Sequence, residues 1–218
     1  MSNTTDYLFE RAGSIIQRLP EVRDDGRKYE MADDGGVELE VGEFMHGLVR
    51  IIKPNRVLTT GIYTGISDMY VAQALKENGY GKITALEFEP THLNRARDLW
   101  HKTDVISVID SQLISSLDFQ PEGAYELFFL DTEPDIRFKE LVKFYPYLAP
   151  GGFVFLHDLH HHLGQETIPG QVENWPWGKM PDEINNWIKT GELKPWHFPN
   201  PRGLAGFQKR KDGDYEPK

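Results

Sequence analysis

Short apolar runs alternate with amphipathic segments through the middle of the 218-residue chain, and this alternation is the strongest constraint on its fold. Two of the runs, Leu127–Leu130 and Phe153–Leu156, are apolar at every position, which is typical of strands buried on both faces of a parallel sheet. Parallel neighbours need a long crossover connection, usually a helix. The pattern therefore predicts an α/β fold with a mainly parallel sheet, helices on both of its faces, and an antiparallel closing strand at Gly203–Lys209.

The predicted elements follow one another in strand–helix order. The expected strands are Arg56–Thr60, Lys82–Glu87, Val105–Asp110, Glu126–Asp131 and Phe153–His157. The expected helices are Tyr7–Leu19, ended by Pro20, then Glu40–Ile52, Ser67–Asn78, Thr91–His101, Leu113–Leu117 and Ile136–Leu148. We divide the chain into an N-terminal helical lid (1–53), a main domain (54–209) with an insertion rich in tryptophan and proline (160–199), and a polar tail (210–218).

Composition excludes several classes of protein. The chain has 24 basic and 34 acidic side chains, a net charge of −10, which argues against nucleic-acid binding. It has no cysteine, so disulfides, thiolate zinc sites and cysteine nucleophiles are excluded. No apolar run approaches the length of a membrane span, and the N-terminus lacks the apolar segment of a signal peptide. We expect a cytoplasmic protein with no membrane partner.

The segment Val57–Ser67 runs from a strand through two glycines into a helix. Gly61 and Gly65 allow a ligand to approach the backbone closely, and the helix offers unpaired N–H groups to a carboxylate or phosphate. The segment lacks the glycine spacing of a dinucleotide fingerprint and the ending of a P-loop. The alternative interpretation is a tight turn with nothing bound.

A second signal lies 26 residues after Gly61, where Glu87 ends the next strand. A carboxylate at this position accepts the hydroxyls of a ribose in many nucleotide-binding sheets. The following Glu89, Pro90 and Thr91 also suit the start of a helix. Both interpretations are compatible, with Glu87 on a ribose and Thr91 in a helix cap.

These pieces resemble the class I S-adenosylmethionine-dependent methyltransferases, and within them the catechol and caffeoyl-coenzyme A O-methyltransferase group. The similarity runs from Glu40 to Asp158. It rests on Val41–Met45, Gly61–Ser67, Leu86–Pro90, Asp110–Gln112, Phe129–Asp131 and Leu148–Gly152, in the same order. The resemblance implies the Rossmann-like fold of that class, S-adenosylmethionine as cofactor, a small-molecule methyl acceptor and a homodimer.

The resemblance also implies roles for individual residues. Gly61, Tyr63 and Gly65 would flank the methionine half of the cofactor, with Ser67 near its carboxylate. Glu87 would hold the ribose, and Ser111 and Gln112 would lie near the adenine. Asp131, at the carboxyl end of its strand, matches the first metal ligand of the family, and Asp158 falls where the family has a second carboxylate ligand. The implied cofactor set is Gly61, Tyr63, Gly65, Ser67, Glu87, Ser111, Gln112 and Asp131.

Three positions depart from the family pattern. Thr59 stands where the family often has an acid that contacts the amino group of the cofactor. No lysine follows Asp131, although the family uses one there as a general base. Leu159 replaces the usual asparagine after the second carboxylate. The departures bear mainly on the catalytic half of the site.

Four histidines lie around Asp158, where the family residues are missing, at His157 and at His160–His162. Asp131, Asp158 and His160 form a mixed oxygen and nitrogen set that would suit Mg²⁺, Mn²⁺ or another divalent metal. His157 or His160 could instead act as a general base without metal, since the histidine pKa lies near neutral pH. A polar loop without either role is the third alternative. The candidate catalytic residues are Asp131, His157, Asp158 and His160.

Three functions are compatible with the sequence. The first is O-methylation of a small-molecule hydroxyl, the second is methyl transfer to nitrogen or another atom without metal, and the third is binding of S-adenosylmethionine without catalysis. Trp175 or Trp177 is expected to line a pocket for the acceptor, whereas Trp187 is expected to pack within the fold.

Overall fold

The computed structural model describes residues 4–22, 28–33, 36–159, 180–198 and 202–211. The chain forms two compact units, Met1–Ser116 and Leu117–Lys218. No helix among the described residues combines the length and the apolar character needed to cross a membrane.

The first unit contains four α-helices and five strands among its described residues. The helices are α1 (Thr4–Ala12), α2 (Leu39–Ile52), α3 (Ile66–Asn78) and α4 (Pro90–Lys102), and the strands are β1 (Arg18–Val22), β2 (Lys28–Ala32), β3 (Arg56–Thr60), β4 (Lys82–Glu87) and β5 (Ile109–Leu113). Strand β4 pairs in parallel with β3 and with β5. The register sets Thr60 beside Leu86, and Glu87 beside Leu113, so the carboxyl ends of all three strands meet at one edge.

Helices α3 and α4 approach closely because Gly65 has no side chain. The Trp100 indole N–H donates a 2.7 Å hydrogen bond to the Gly65 carbonyl, and the ring is fully buried. A Cβ on Gly65 would lie 2.6 Å from the Ala96 Cβ and 2.8 Å from Trp100 Nε1. Gly65 is therefore required by the packing of the unit, in addition to any role in ligand approach.

Helix α1 is fastened to α2 and α3 through buried polar contacts. The Thr5 hydroxyl lies 2.8 Å from the Tyr70 hydroxyl and donates to Glu43 at 2.6 Å. Burial raises the pKa of the Tyr70 phenol well above its ordinary value, so the group stays neutral. The lid role of residues 1–53 stays a prediction.

The N-terminal helix is shorter than predicted. Helix α1 ends at Ala12, where Gly13 adopts a left-handed conformation (φ +61°), and the chain then enters the antiparallel β1–β2 hairpin. Pro20, predicted to end the helix, lies inside β1 opposite Glu30. A proline is tolerated there because β1 belongs to a two-stranded sheet, in which one edge of each strand needs no N–H donor.

The third predicted strand begins later than its apolar pattern indicates. The Val105 N–H bonds to the Trp100 carbonyl at 2.9 Å and so completes the end of α4 instead of starting a strand. A 3₁₀ turn follows at Ile106–Val108, and β5 covers Ile109–Leu113. Ser111 therefore lies within the strand, and the helix predicted at Leu113–Leu117 is wrong, because these residues form the end of β5 and a turn.

The second unit contains two parallel strands followed by antiparallel ones. Its described elements are β6 (Tyr125–Leu130), α5 (Pro134–Phe144), β7 (Leu148–His157), α6 (Asp182–Lys189), β8 (Leu193–Phe198) and β9 (Leu204–Lys209). Strands β6 and β7 are parallel, and β9 lies antiparallel between β7 and β8. The predicted closing strand is thus β9. Strand β8 lies in the segment predicted as an insertion, and its pairing with β9 was not foreseen.

Of the three tryptophans with predicted roles, Trp187 lies among the described residues. Trp187 on α6 stacks on Tyr145, with ring centroids 3.8 Å apart, in agreement with its expected packing role. Trp175 and Trp177 lie outside the described residues. The mainly parallel α/β pattern with antiparallel closing strands confirms the predicted fold class.

We expect Gly65→Ala to destabilise the protein more than Gly79→Ala does. Both glycines are left-handed (φ +77° and +81°), but a Cβ on Gly79 meets nothing within 4 Å. Gly79→Ala should therefore cost only the backbone strain, about 1–2 kcal/mol, whereas overpacking at Gly65 should raise the total to about 2–4 kcal/mol. Urea unfolding measures both, and equal losses would contradict the packing argument.

Candidate functional site

The turn between β3 and α3 is built from left-handed residues. Gly61 and Gly65 have φ values of +72° and +77°, and Tyr63 between them has +48°. The Gly65 N–H closes the turn on the Ile62 carbonyl at 2.8 Å. A left-handed conformation is unfavourable for tyrosine, so the surrounding structure must hold Tyr63 in place.

Glu87 holds Tyr63 in this left-handed conformation. Its Oε2 accepts the Tyr63 N–H at 3.0 Å, and its Oε1 accepts the N–H groups of Phe88 and Glu89 at 2.9 and 3.0 Å. The residue is 4% exposed. Because a carboxylate offers about four lone-pair positions, these three bonds leave about one position for a ligand hydroxyl. The sequence indicated a ligand role for Glu87 but did not reveal that the same side chain fastens the glycine turn.

The helix-start interpretation of the next residues is also correct. Glu89 caps α4, since its carboxylate accepts from the Thr91 N–H at 3.2 Å and from the Thr91 hydroxyl at 2.9 Å. These bonds hold the pKa of the Glu89 carboxyl below its ordinary value. Glu87 and Glu89 therefore have different environments, one buried at the turn and one exposed at the helix end.

An acid lies beside Thr59 although β3 contains none. The Thr59 hydroxyl donates a 2.6 Å hydrogen bond to Asp68 Oδ1, and Asp68 is 1% exposed in the first turn of α3. A carboxylate is favourable there because the helix dipole is positive at this end. Sequence reasoning noted the missing acid at Thr59 but missed Asp68, which follows Ser67 directly.

The other predicted cofactor residues of the first unit lie near this edge. Ser67 is buried in the first turn of α3. Ser111 pairs with Ala85 and Gln112 pairs with Leu86 across β4 and β5. The Ser111 hydroxyl and carbonyl both accept hydrogen bonds from Arg97, at 3.0 and 3.1 Å. Arg97 therefore orients Ser111, a contact that the sequence did not indicate.

Asp131, His157 and Asp158 meet in the second unit. Asp131 directly follows β6 and His157 ends β7, so the parallel pairing of these strands brings them together. His157 Nδ1 lies 3.1 Å from both Asp131 oxygens, and the imidazole is fully buried. An ionised carboxylate only accepts hydrogen bonds, so Nδ1 carries the proton. The Asp131 side chain is 18% exposed and is the more accessible member of the pair.

Two arginines that the sequence did not single out complete this cluster. Arg137 on α5 is 3% exposed, and its Nη2 lies 3.6 Å from Asp131 Oδ1 and 3.9 Å from Asp158 Oδ2. Its Nη1 also donates to the Asp158 carbonyl at 2.8 Å. Arg202 forms an ion pair and hydrogen bond with Asp158 Oδ2. We call Asp131, Arg137, His157, Asp158 and Arg202 the carboxylate–arginine cluster.

The loop after β7 presents Asp158 in an unusual conformation. Asp158 is left-handed (φ +61°), and Leu159 is buried with its N–H bonded to the Gly203 carbonyl at 3.2 Å. The leucine that replaces the family asparagine thus packs inside the unit. His160, with the neighbouring His161 and His162, lies outside the described residues, so its predicted catalytic and metal roles stay predictions.

The possible metal-ligand atoms of the cluster lie close enough together to bind one ion. The net charge of the cluster, however, does not suit a divalent cation. Ligand atoms of Asp131, His157 and Asp158 all lie within 4.8 Å of one another. The two carboxylates are, however, already balanced by two guanidinium groups, and His157 Nδ1 is engaged with Asp131. These described residues do not suit a divalent cation, because such an ion would leave the cluster with a net positive charge.

Comparison with known proteins agrees with this geometry. Residues 58–159 match the family model of a methyltransferase domain. Caffeoyl-CoA O-methyltransferase of Stellaria longipes is 24% identical over 81% of this chain and 73% of its own length. Tapetum-specific methyltransferase 1 of Arabidopsis thaliana is 28% identical over 59% of this chain. The chain spans only 57% of the length of that second relative.

Solved structures share the fold at low sequence identity. Cofactor-bound Rv0187 from MTB superposes with a TM-score of 0.69 and 16% identity, covering 95% of this chain and 90% of that one. The SAH-bound methyltransferase PaMTH1 of Podospora anserina gives 0.66 and 18% identity, covering 81% and 80%. Residues 58–159 thus match a methyltransferase domain, and the chain is similar to caffeoyl-coenzyme A and catechol O-methyltransferases and shares the fold of SAH-bound methyltransferases.

Proposed function

We propose that the chain transfers a methyl group from S-adenosylmethionine to a hydroxyl oxygen of a small molecule. The observation that carries the proposal is the bond between the buried Glu87 and Tyr63 in the left-handed turn. This bond joins a ribose-type carboxylate to the backbone turn where the methionine half of the cofactor is expected. The names of the relatives support oxygen as the methyl acceptor.

The first unit provides complementary groups for each part of the cofactor. The remaining lone pair of Glu87 accepts a ribose hydroxyl, and the first turn of α3, with Ser67, offers donors to the methionine carboxylate. The buried Asp68 supplies the negative charge that Thr59 lacks, which favours the cationic amino group. Ser111 and Gln112 on β5 stay proposed as neighbours of the adenine.

The reaction requires a proton acceptor for the hydroxyl. The acceptor oxygen forms a bond to the methyl carbon as the carbon–sulfur bond breaks, and the electron pair of that bond returns to sulfur, giving S-adenosylhomocysteine. The hydroxyl proton then has to leave, and we assign it to the Asp131 carboxylate. His157 is fully buried with Nδ1 on Asp131, so it acts as a positioning residue that orients this carboxylate.

We expect the Glu87→Ala variant to bind S-adenosylhomocysteine about 10–100-fold more weakly than the wild type, since hydrogen bonds to a charged group are lost. Calorimetric titration measures the affinity. Glu89→Ala is the matched control, because Glu89 is an exposed carboxylate that caps a helix. Its affinity should stay close to that of the wild type. An unchanged affinity in Glu87→Ala, or no binding by the wild type, would contradict the proposed cofactor site.

We expect Asp131→Asn to lower methyl transfer by about 100-fold or more, because the amide cannot take up the hydroxyl proton. Transfer of radiolabelled methyl to a panel of catechols and hydroxycinnamoyl esters measures the rate, and S-adenosylhomocysteine affinity should not change. Asp118→Asn, an exposed aspartate of the same unit, serves as control. Normal cofactor binding without transfer by the wild type to any acceptor would favour a binding protein instead.

A further inference from the structure

We propose that Arg137 and Arg202 supply the positive charge at the carboxylate–arginine cluster, so that methyl transfer proceeds without a divalent ion. The inference about catalysis rests on the proposed function, whereas the inference about metal binding rests on the cluster alone. Both depend on contacts within the second unit.

The charges within the carboxylate–arginine cluster are balanced. Asp131 and Asp158 carry two negative charges, and Arg137 and Arg202 carry two positive ones, so the four side chains are neutral together. Arg137 contacts both carboxylates and is 3% exposed, so water screens these interactions poorly. A divalent cation would have to enter a cluster whose negative charge is already balanced.

The atoms that could bind a metal in this cluster are already engaged. A guanidinium has only N–H donors and keeps its proton at any physiological pH, so neither arginine can become a metal ligand. Arg202 bonds to Asp158 Oδ2, and the protonated Nδ1 of His157 bonds to both oxygens of Asp131. An ion would therefore have to displace an arginine and the imidazole before it could reach three ligands.

Asp158 and Arg137 each keep one buried polar atom without a hydrogen-bond partner among the described residues. These atoms are Asp158 Oδ1 and Arg137 Nε. One is an acceptor and the other a donor, and buried polar atoms without partners are rare in folded proteins. Asp158 is also held in a left-handed conformation while Arg137 bonds to its carbonyl. Both atoms thus keep unused hydrogen-bonding capacity inside the cluster.

The two arginines can take over the electrostatic role of a metal. Guanidinium groups stabilise negative charge that develops on an oxygen, the task that a Lewis-acid metal performs in metal-dependent enzymes. They do so more weakly than a directly bound divalent ion, because they donate hydrogen bonds and do not coordinate the oxygen.

The test uses Mn²⁺ as the probe, with binding to the full-length protein followed by electron paramagnetic resonance. We expect the wild type to leave Mn²⁺ free at about 1 mM, a concentration that fills weak carboxylate sites. Arg202→Met should bind Mn²⁺ at least about tenfold more tightly, because it uncovers a carboxylate. Arg202→Lys should keep the wild-type behaviour, and Arg210→Met is a control outside the cluster.

Activity provides the second readout. Methyl transfer by the wild type should be the same with excess EDTA and with added Mg²⁺. Tight Mn²⁺ binding by the wild type that Asp131→Asn abolishes, or loss of transfer in EDTA, would overturn the inference. Because wild-type measurements decide these points, a variant that fails to fold does not weaken the test. Absence of transfer together with absence of Mn²⁺ binding would refute the proposed function and leave the metal inference standing.

Discussion

The bond from Glu87 to the Tyr63 N–H is the interaction on which the candidate cofactor site depends. Three residues of the β3–α3 turn are left-handed, and the non-glycine Tyr63 keeps this conformation because a buried carboxylate accepts its N–H at 3.0 Å. Glu87 is itself positioned by the parallel register of β4, which ends at the same edge as β3. Sheet register, turn conformation and ligand-binding capacity are thus linked through one side chain.

In the second unit, two neighbouring carboxylates have to be balanced by positive charge. Parallel strands β6 and β7 bring Asp131 and Asp158 to one edge, and two acids this close repel one another unless charge compensates them. Arg137 and Arg202 provide that compensation. The family resemblance implies a metal for this task, whereas the described residues provide guanidinium groups.

Much of the candidate site was predictable because it depends on local pattern. The strand–glycine–helix segment and Glu87 are read directly from apolar runs and spacing. Arg137 was not predictable, because nothing in its neighbourhood distinguishes it from a surface arginine on an amphipathic helix; only the packing of α5 buries it. The late start of β5 was missed for a similar reason, since Val105 is apolar and β-branched yet completes the end of α4.

The sequence by itself determined the α/β class, the place of the glycine turn and the presence of an acid after β4, since these follow from side-chain periodicity and backbone sterics. Only the tertiary structure decided which polar groups meet. Asp68 reaches Thr59 and Arg202 reaches Asp158 through contacts between segments separated along the chain, the second pair by 44 positions. Pairing at that separation depends on how strands and loops pack, and no local pattern of residues encodes it.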